Sequence, residues 1–309
     1  MTPSIEESRK WMGKPLVASF IAGGCAGAVS RTVVSPFERM KIIFQVQGAN
    51  SHAYEGTLPT LKKMWVEEGW RGYMRGNGIN CIRIVPYSAV QFCTYTMLQM
   101  ALPLDGEGHH TVYQRLFAGA IAGIASVCAT YPMDIVRTRI SIQTASIGQL
   151  QAKHLAKPPG MWETMLKMYR TEGGMAALWR GLIPTTMGVA PYVAINFAAY
   201  EWLRERLAYD GQKLSTFSTL IAGAVSGAIA QTFTYPFDVL RRRFQVNTFK
   251  DGHLGYQYTS VWNAVTSIIK HEGYQGLYKG LTANLLKVAP SMAASFLTFE
   301  AVKRLLKYP

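Results

Sequence analysis

Ser35-Pro36-Phe37-Glu38-Arg39-Met40-Lys41 returns as Tyr131-Pro132-Met133-Asp134-Ile135-Val136-Arg137 and again as Tyr235-Pro236-Phe237-Asp238-Val239-Leu240-Arg241. Each copy reads proline, any residue, acid, two residues, base. A single copy would describe a loop-to-helix junction with an exposed ion pair. Three copies describe a repeat, and a repeat decides the fold before any single element does. Each copy closes an apolar stretch with glycines four residues apart, at Gly23 and Gly27, Gly119 and Gly123, and Gly223 and Gly227, the spacing at which membrane helices approach closely. Downstream, Glu68-Gly69, Glu172-Gly173 and Glu272-Gly273 precede Arg75-Gly76, Arg180-Gly181 and Lys279-Gly280, with one extra residue in the second copy. A proline follows ten residues after each final glycine, at Pro86, Pro191 and Pro290.

Between these motifs, Leu61, Met165 and Val265 stand seven residues before the glutamate, Met64, Met168 and Ile268 four before, and Trp65, Tyr169 and Ile269 three before. Such spacing gives a short helix with one apolar face, suited to a membrane surface. Each repeat is therefore expected to be transmembrane helix, surface helix, transmembrane helix. The expected repeats are 16–104, 113–209 and 214–309, after a tail at 1–15. Pro36, Pro132 and Pro236 each remove a helical hydrogen bond and bend the axis, so three bends at one depth predict a constriction.

Composition agrees. The 309 residues are 49% hydrophobic and only 16% charged, low for a soluble chain. Leu16–Ser30, Ile84–Leu104, Leu116–Met133, Gly181–Tyr200 and Leu214–Phe237 lack acidic and basic residues, four of them over roughly a bilayer's width and Leu16–Ser30 over less, extended if Arg31 faces inward. A sixth stretch, Val288–Phe299, requires Lys287 to face a polar cavity. Mean hydropathy is close to zero, so several helices must line water. The net charge of +14 is spread among the apolar segments instead of forming a soluble basic face. That excludes a nucleic-acid binder and points to anionic solutes and anionic lipid. Cys25, Cys81, Cys93 and Cys128 lack CxxC spacing and read as small core thiols, and His109-His110 has no ligand spacing, so neither metal nor cofactor is expected. No nucleophile and base stand at useful spacing, which argues against an enzyme. Glu6 and Glu7, with no apolar run beside them, exclude a secretory signal or an acid-poor transit peptide, so targeting is expected to be internal.

This constellation resembles the mitochondrial carrier family over residues 16 to about 305. The resemblance implies an all-α membrane protein with six transmembrane helices in a three-fold pseudosymmetric barrel, three short matrix surface helices and a central water-filled cavity. It further implies a monomer of the inner membrane with both termini facing the intermembrane space. By the family pattern a matrix gate pairs Glu38 with Arg137, Asp134 with Arg241 and Asp238 with Lys41, braced by Gln45 and Gln245, whereas the second repeat has Ser141. The cytoplasmic pattern, aromatic-acid-x-x-base, holds at Tyr200-Glu201-Trp202-Leu203-Arg204 and Phe299-Glu300-Ala301-Val302-Lys303, but the second helix reads Tyr95-Thr96-Met97-Leu98-Gln99. Of its three pairs only Glu201 with Lys303 stays ionic; Gln99 is left to donate to Glu300, and Arg204 to face Thr96. Exposed pairs contribute about 0–1 kcal/mol each. The matrix gate is accordingly expected to win, leaving the empty protein open to the cytoplasm.

An asymmetric solute must be read by positions that differ among the repeats. Seven residues past the turn glycines stand Arg83, Gly188 and Lys287; five before the motif prolines stand Arg31, Val127 and Gln231; Thr138 and Arg242 lie six after theirs. An unpaired intramembrane cation is costly, and no spare acid is expected at these levels. Arg31, Arg83, Arg242 and Lys287 thus point to a polyanion, phosphate or sulfate in type, because guanidinium groups donate in parallel pairs. Gly188 beside Val189 leaves room for a flat group, with helix packing as the alternative. By resemblance, Arg83, Gly188-Val189 and Lys287 fall at the family's three substrate contact points, the Gly-aliphatic pair resembles the adenine-nucleotide branch, and Arg31 its phosphate-binding cation. Arg241-Arg242-Arg243-Phe244-Gln245-Val246 departs from the run of the ADP/ATP exchangers, and a first helix near Leu16 disfavours the calcium-switched ATP-Mg/phosphate carriers. Ala28–Arg39, Asn80–Ile84, Pro86–Phe92, Lys157–Gly160 and Leu240–Val246 resemble the branch that carries adenosine 5'-phosphosulfate and its 3'-phosphorylated form. Coenzyme A and adenosine 3',5'-bisphosphate share the adenosine 3',5'-phosphate core and form the alternative. An uncoupler-like ion conductance is the reading from a different class.

Overall fold

Long apolar runs carrying many alanines and leucines suit helix, and every regular element among the described residues is helical, including stretches such as Thr32-Val33-Val34 and Ile135-Val136 where packing overrides β-branched propensity. The computed structural model describes residues 15–48, 56–103, 111–142, 160–207, 216–247 and 258–306. Residues 1–14 of the expected tail, His109-His110 and Lys157–Pro159 lie outside them. The first repeat holds α1 (Pro15–Val46), α2 (Thr57–Tyr73) and α3 (Asn77–Ala101); the second holds α4 (Val112–Ile142), α5 (Met161–Thr171) and α6 (Leu182–Leu207). The third holds α7 (Thr216–Val246), α8 (Val261–Glu272), α9 (Leu281–Leu286) and α10 (Val288–Leu305). Pro36, Pro132 and Pro236 lie inside α1, α4 and α7, and Pro86 and Pro191 inside α3 and α6. In the third repeat the helix instead breaks at Lys287, where Pro290 cannot donate to the carbonyl of Leu286.

Val112–Ile142, Gly174–Leu207 and Tyr274–Leu305 are each long and apolar enough to cross a membrane. α1, α3 and α7, of 32, 25 and 31 residues, have the length without the same unbroken apolarity. Packing follows a closed ring: α1 against α3, α3 against α4, α4 against α6, α6 against α7, α7 against α9, and α10 back against α1. α1, α4 and α7 also meet one another, at the ends that bear the Pro-x-acid motifs.

Each short helix docks by one face, which buries Thr60 and Met64, Thr164 and Met168, and Ala264 and Ile268. Met64, Met168 and Ile268 are buried against Met40 and Ile43, Ile135 and Val136, and Leu240 respectively. Trp65 and Tyr169, read from spacing as part of the apolar face, are instead about half exposed, with Trp162 and Trp262 more so. Docking is reinforced by three buried arginines that the repeat pattern did not single out. Arg39, Arg139 and Arg243 bind Glu68, Glu172 and Glu272, and their Nε atoms donate to the carbonyls of Ser141 (2.9 Å), Gln245 (3.2 Å) and Gln45 (3.2 Å) in the following repeat. Arg139 and Arg243 stand seven residues after their prolines; the first repeat has Ile43 there, and Arg39 serves from one helical turn earlier. Arg75 and Lys279 add a second cation to Glu68 and Glu272, at 2.9 and 2.7 Å. The extra residue of the second copy displaces Arg180, which donates to the backbone carbonyl of Glu172 at 3.0 Å.

Gly76, Gly181 and Gly280 turn each repeat into its last long helix at φ +77, +86 and +86. A Cβ on them would lie 3.2 Å from the carbonyl oxygen of Arg137, 3.0 Å from that of Arg241 and 3.1 Å from that of Lys41. Only glycine permits both the left-handed turn and this abutment of successive repeats. The expectation of core thiols is corrected: Cys25 and Cys93 are exposed, Cys81 and Cys128 partly so, because the ring encloses a cavity and turns much apolar surface outward.

Candidate functional site

At the closed end of the ring each motif acid meets the base of another repeat. Glu38 pairs with Arg137, Asp134 with Arg241 at 2.6 Å, and Asp238 with Lys41 at 2.9 Å, so α1, α4 and α7 are tied in a triangle. Gln245 is wholly buried within this triangle: its amide donates to Asp134 Oδ2 (2.8 Å) and the Tyr131 hydroxyl (3.2 Å), and its oxygen accepts from Thr138 and Arg242, both at 2.8 Å. Gln45 is equally buried, yet among the described residues it makes no hydrogen bond of normal geometry to the Lys41–Asp238 pair. Ser141 is turned to the carbonyl of Arg137 in its own helix, at 2.8 Å.

The cations expected to stand without acids do not. Arg31 and Lys287 reach Glu38 at 3.1 and 3.4 Å, and Arg83 and Arg242 reach Asp134 at 3.5 and 3.1 Å. The reason is helical geometry: Arg31 lies two turns before Glu38 on the same face, and long side chains on α3, α7 and the α9–α10 break lean onto these acids. Gln231, seven residues before Asp238, donates to it at 2.8 Å in the same way. Arg242 also donates to the Thr138 hydroxyl at 2.5 Å, which wedges it inside the triangle of ion pairs. Asn80, which sequence reasoning passed over, donates to Glu38 Oε2 at 3.2 Å.

Two adjoining cavities open above this layer. One, of about 360 Å³, is lined by Arg31, Asn80, Arg83 and Ser88; the other, of about 280 Å³, by Gly119, Gly188, Val189, Tyr192 and Phe237. They share Tyr87, Val127 and Arg241. A cationic chamber thus communicates with a slot in which small, aliphatic and aromatic side chains stand beside Gln231, Thr234 and Asp238. At Gly188 the packing alternative gains weight: a Cβ there would stand 3.0 Å from Phe237 Cβ, and Val189 lies 3.3 Å from where a Gly123 Cβ would be.

At the far end several contacts run within single helices. Glu201 meets Arg204 at 3.8 Å and Glu300 meets Arg304 at 3.7 Å; Lys303 lies 5.1 Å over the Phe299 ring, and Gln99 donates to the Tyr95 hydroxyl at 3.1 Å. Arg204 and Gln99 therefore have partners other than Thr96 and Glu300. Thr96 is exposed and Tyr200 half-buried.

A basic cavity inside a helix ring, closed at one end by ion pairs between helices, is an arrangement that suits a membrane carrier. The mitochondrial carrier protein family matches residues 13–105, 108–211 and 212–309. An uncharacterized mitochondrial carrier of Saccharomyces cerevisiae is 52% identical over 92% of this chain and 90% of its own length. A mitochondrial adenine nucleotide transporter of Arabidopsis thaliana is 41% identical over 97% and 92%. A calcium-dependent mitochondrial ATP-magnesium/phosphate carrier of the same plant is 36% identical over 92% of this chain and 55% of its own length. The chain belongs to the mitochondrial carrier family, whose members are transporters of the mitochondrial inner membrane.

Proposed function

We propose that this protein exchanges anionic adenine nucleotides across the inner membrane by alternating access, with adenosine 5'-phosphosulfate and 3'-phospho-adenosine 5'-phosphosulfate as solutes and phosphate, sulfate or related nucleotides as counter-solutes. The observation that carries this reading is the cationic chamber of Arg31, Arg83 and Arg241 opening into the slot of Gly188, Val189 and Tyr192. Guanidinium groups suit phosphate and sulfate oxygens, and a flat base suits a slot walled by small and aromatic side chains. The adenine nucleotides in the name of the Arabidopsis relative support the class of solute.

In this reading six helices span the membrane, both termini face the intermembrane space, and the repeats at 16–104, 113–209 and 214–309 act together in one monomer without a cofactor. The triangle of ion pairs is the matrix gate, and anionic lipid meets the surface helices. In the empty protein the solute-binding cations rest on gate carboxylates: Arg31 and Lys287 on Glu38, Arg83 and Arg242 on Asp134. An arriving anion takes these cations as its own partners and brings negative charge beside Glu38 and Asp134. Binding and gate loosening are then one event, and an uncharged solute produces neither.

The test is uptake by proteoliposomes loaded in turn with adenylyl sulfate, coenzyme A, ATP, ADP or phosphate. Fastest exchange is expected with adenylyl sulfate. Exchange faster with coenzyme A would reassign the solute, and a fatty-acid-activated current without nucleotide exchange would overturn the carrier reading for an ion conductance.

A further inference from the structure

The three gate pairs differ in how they are supported. Asp134 and Arg241 have Gln245, whose amide donates to Asp134 Oδ2, the oxygen that Arg241 also takes. For Glu38 and Arg137 the corresponding position is Ser141, whose hydroxyl is occupied by its own helix and is too short to reach the pair. The Glu38 carboxylate nevertheless receives an amide donor, from the opposite side. Asn80 donates to Glu38 Oε2 at 3.2 Å, and this is the oxygen that Arg137 takes. The two arrangements match: one carboxylate oxygen shared between a guanidinium from the next repeat and a buried side-chain amide.

Asn80 is held there by the turn that starts α3. It is 2% exposed and lies four residues after Gly76, where a Cβ would stand 3.2 Å from the carbonyl oxygen of Arg137, so the missing side chain lets the turn abut that carbonyl. The backbone of Arg137 thus positions the amide that supports its own ion pair. At the equivalent place in the second repeat, the Thr185 hydroxyl donates to Gly181 in its own helix at 2.7 Å.

We infer that Asn80 is a positioning residue of the matrix gate, the brace of the Glu38–Arg137 pair, acting from the cavity side in place of the glutamine the second repeat lacks. This rests on the gate reading proposed above. Gln245 sits away from the cavity lining, whereas Asn80 lines the chamber with Arg31 and Arg83. A bound anion that draws Arg31 from Glu38 therefore also meets the Asn80 amide and competes for it. The seam between α1 and α4 is the one where the brace is exposed to the solute, and it loosens on binding while Gln245 still holds Asp134.

The test uses the full chain in liposomes, with Cys25, Cys81, Cys93 and Cys128 replaced and Ser88→Cys as reporter, labelled by an impermeant thiol reagent added to one side or the other. Asn80→Leu keeps the approximate shape and removes the donor; Gln245→Ala checks the gate itself. Loss of an amide bond to a buried carboxylate should shift the ratio of matrix-closed to matrix-open protein by about ten- to a hundredfold. Asn80→Leu is expected to lower cytoplasmic-side labelling and raise matrix-side labelling, with added adenosine 5'-phosphosulfate shifting it less than it shifts the parent. A rise on both sides means general loosening and overturns the brace. If Gln245→Ala shifts labelling and Asn80→Leu does not, the brace is overturned while the gate stands. If neither variant shifts it, the gate reading falls with it.

Discussion

Gly188→Ala separates the two uses of that glycine. Its Cβ would be 3.0 Å from Phe237 Cβ and 3.5 Å from Phe237 Cγ, so α6 and α7 must part by a few tenths of an ångström. Overpacking of this kind costs about 1–3 kcal/mol, and replacing a mid-helix glycine returns about 0.8–1 kcal/mol of helix propensity. A net loss of about 1 kcal/mol in stability is expected, and uptake of adenylyl sulfate and of sulfate should fall in equal proportion. Because the tightest contact is to Cβ, Phe237→Ala should not rescue the variant. Gly188→Leu is different: its outer atoms extend toward the slot beside Tyr192, so nucleotide uptake should fall well beyond sulfate uptake. The assays are thermal unfolding of purified protein followed by a thiol-reactive dye, and paired uptake of the two solutes in proteoliposomes. If Gly188→Ala left stability unchanged and selectively removed nucleotide uptake, the space before Gly188 would belong to the solute and the packing argument would fail.

Arg83→Ala and Lys287→Ala should each reduce nucleotide exchange about a hundredfold while the protein stays folded and inserted, since a charge-assisted contact contributes about 2–3 kcal/mol; near-normal uptake in both would remove them from the site. Thr96→Glu with Gln99→Lys should restore cytoplasmic pairing, stabilise the matrix-open state and slow return to the outward one. Cytoplasmic-side labelling of a cavity thiol, in a background without native cysteines, reads this; unchanged labelling would mean those pairs do not set the resting state. The latch at Glu272 should be acid-sensitive. Burial acts to raise its pKa, but the hydrogen bonds and charges of Arg243 and Lys279 outweigh burial and hold it below the ordinary value. A depressed carboxylate stabilises the fold above its unfolded pKa of about 4.3 and loses that contribution as pH falls through the folded value. Hydrogen-exchange protection of α8 should decline in that window in the parent and not in Glu272→Gln; a flat profile in the parent would refute the latch.

What the sequence revealed was whatever recurs in register. The Pro-x-acid-x-x-base copies lead directly to the three ion pairs, because partners at matched positions on three helices face one another once the ring closes. Residues doing the same job from a different register stayed hidden. Arg39 replaces an arginine that a position-by-position comparison seeks at Ile43, and Asn80 supports Glu38 from another helix. The acids beneath Arg83 and Lys287 were missed for a related reason: Asp134 and Glu38 had already been assigned to gate partners, and a buried carboxylate accepts from several cations at once. The link from Arg31 to Glu38 needed only the count of seven residues along one helix.

The bonds from Arg39 to Ser141, Arg139 to Gln245 and Arg243 to Gln45 all run in one rotational sense, first repeat to second, second to third, third to first. Along this belt the polypeptide has an order but no first member. During synthesis the first bond waits for α4 and the second for α7, while the acceptor of the last, Gln45, has been made long before its donor Arg243. A fragment of two repeats therefore leaves one arginine without its acceptor carbonyl and one carbonyl without its arginine. A circularly permuted chain that opens with the second repeat and ends with the first contains the same three donors and acceptors and closes the same belt.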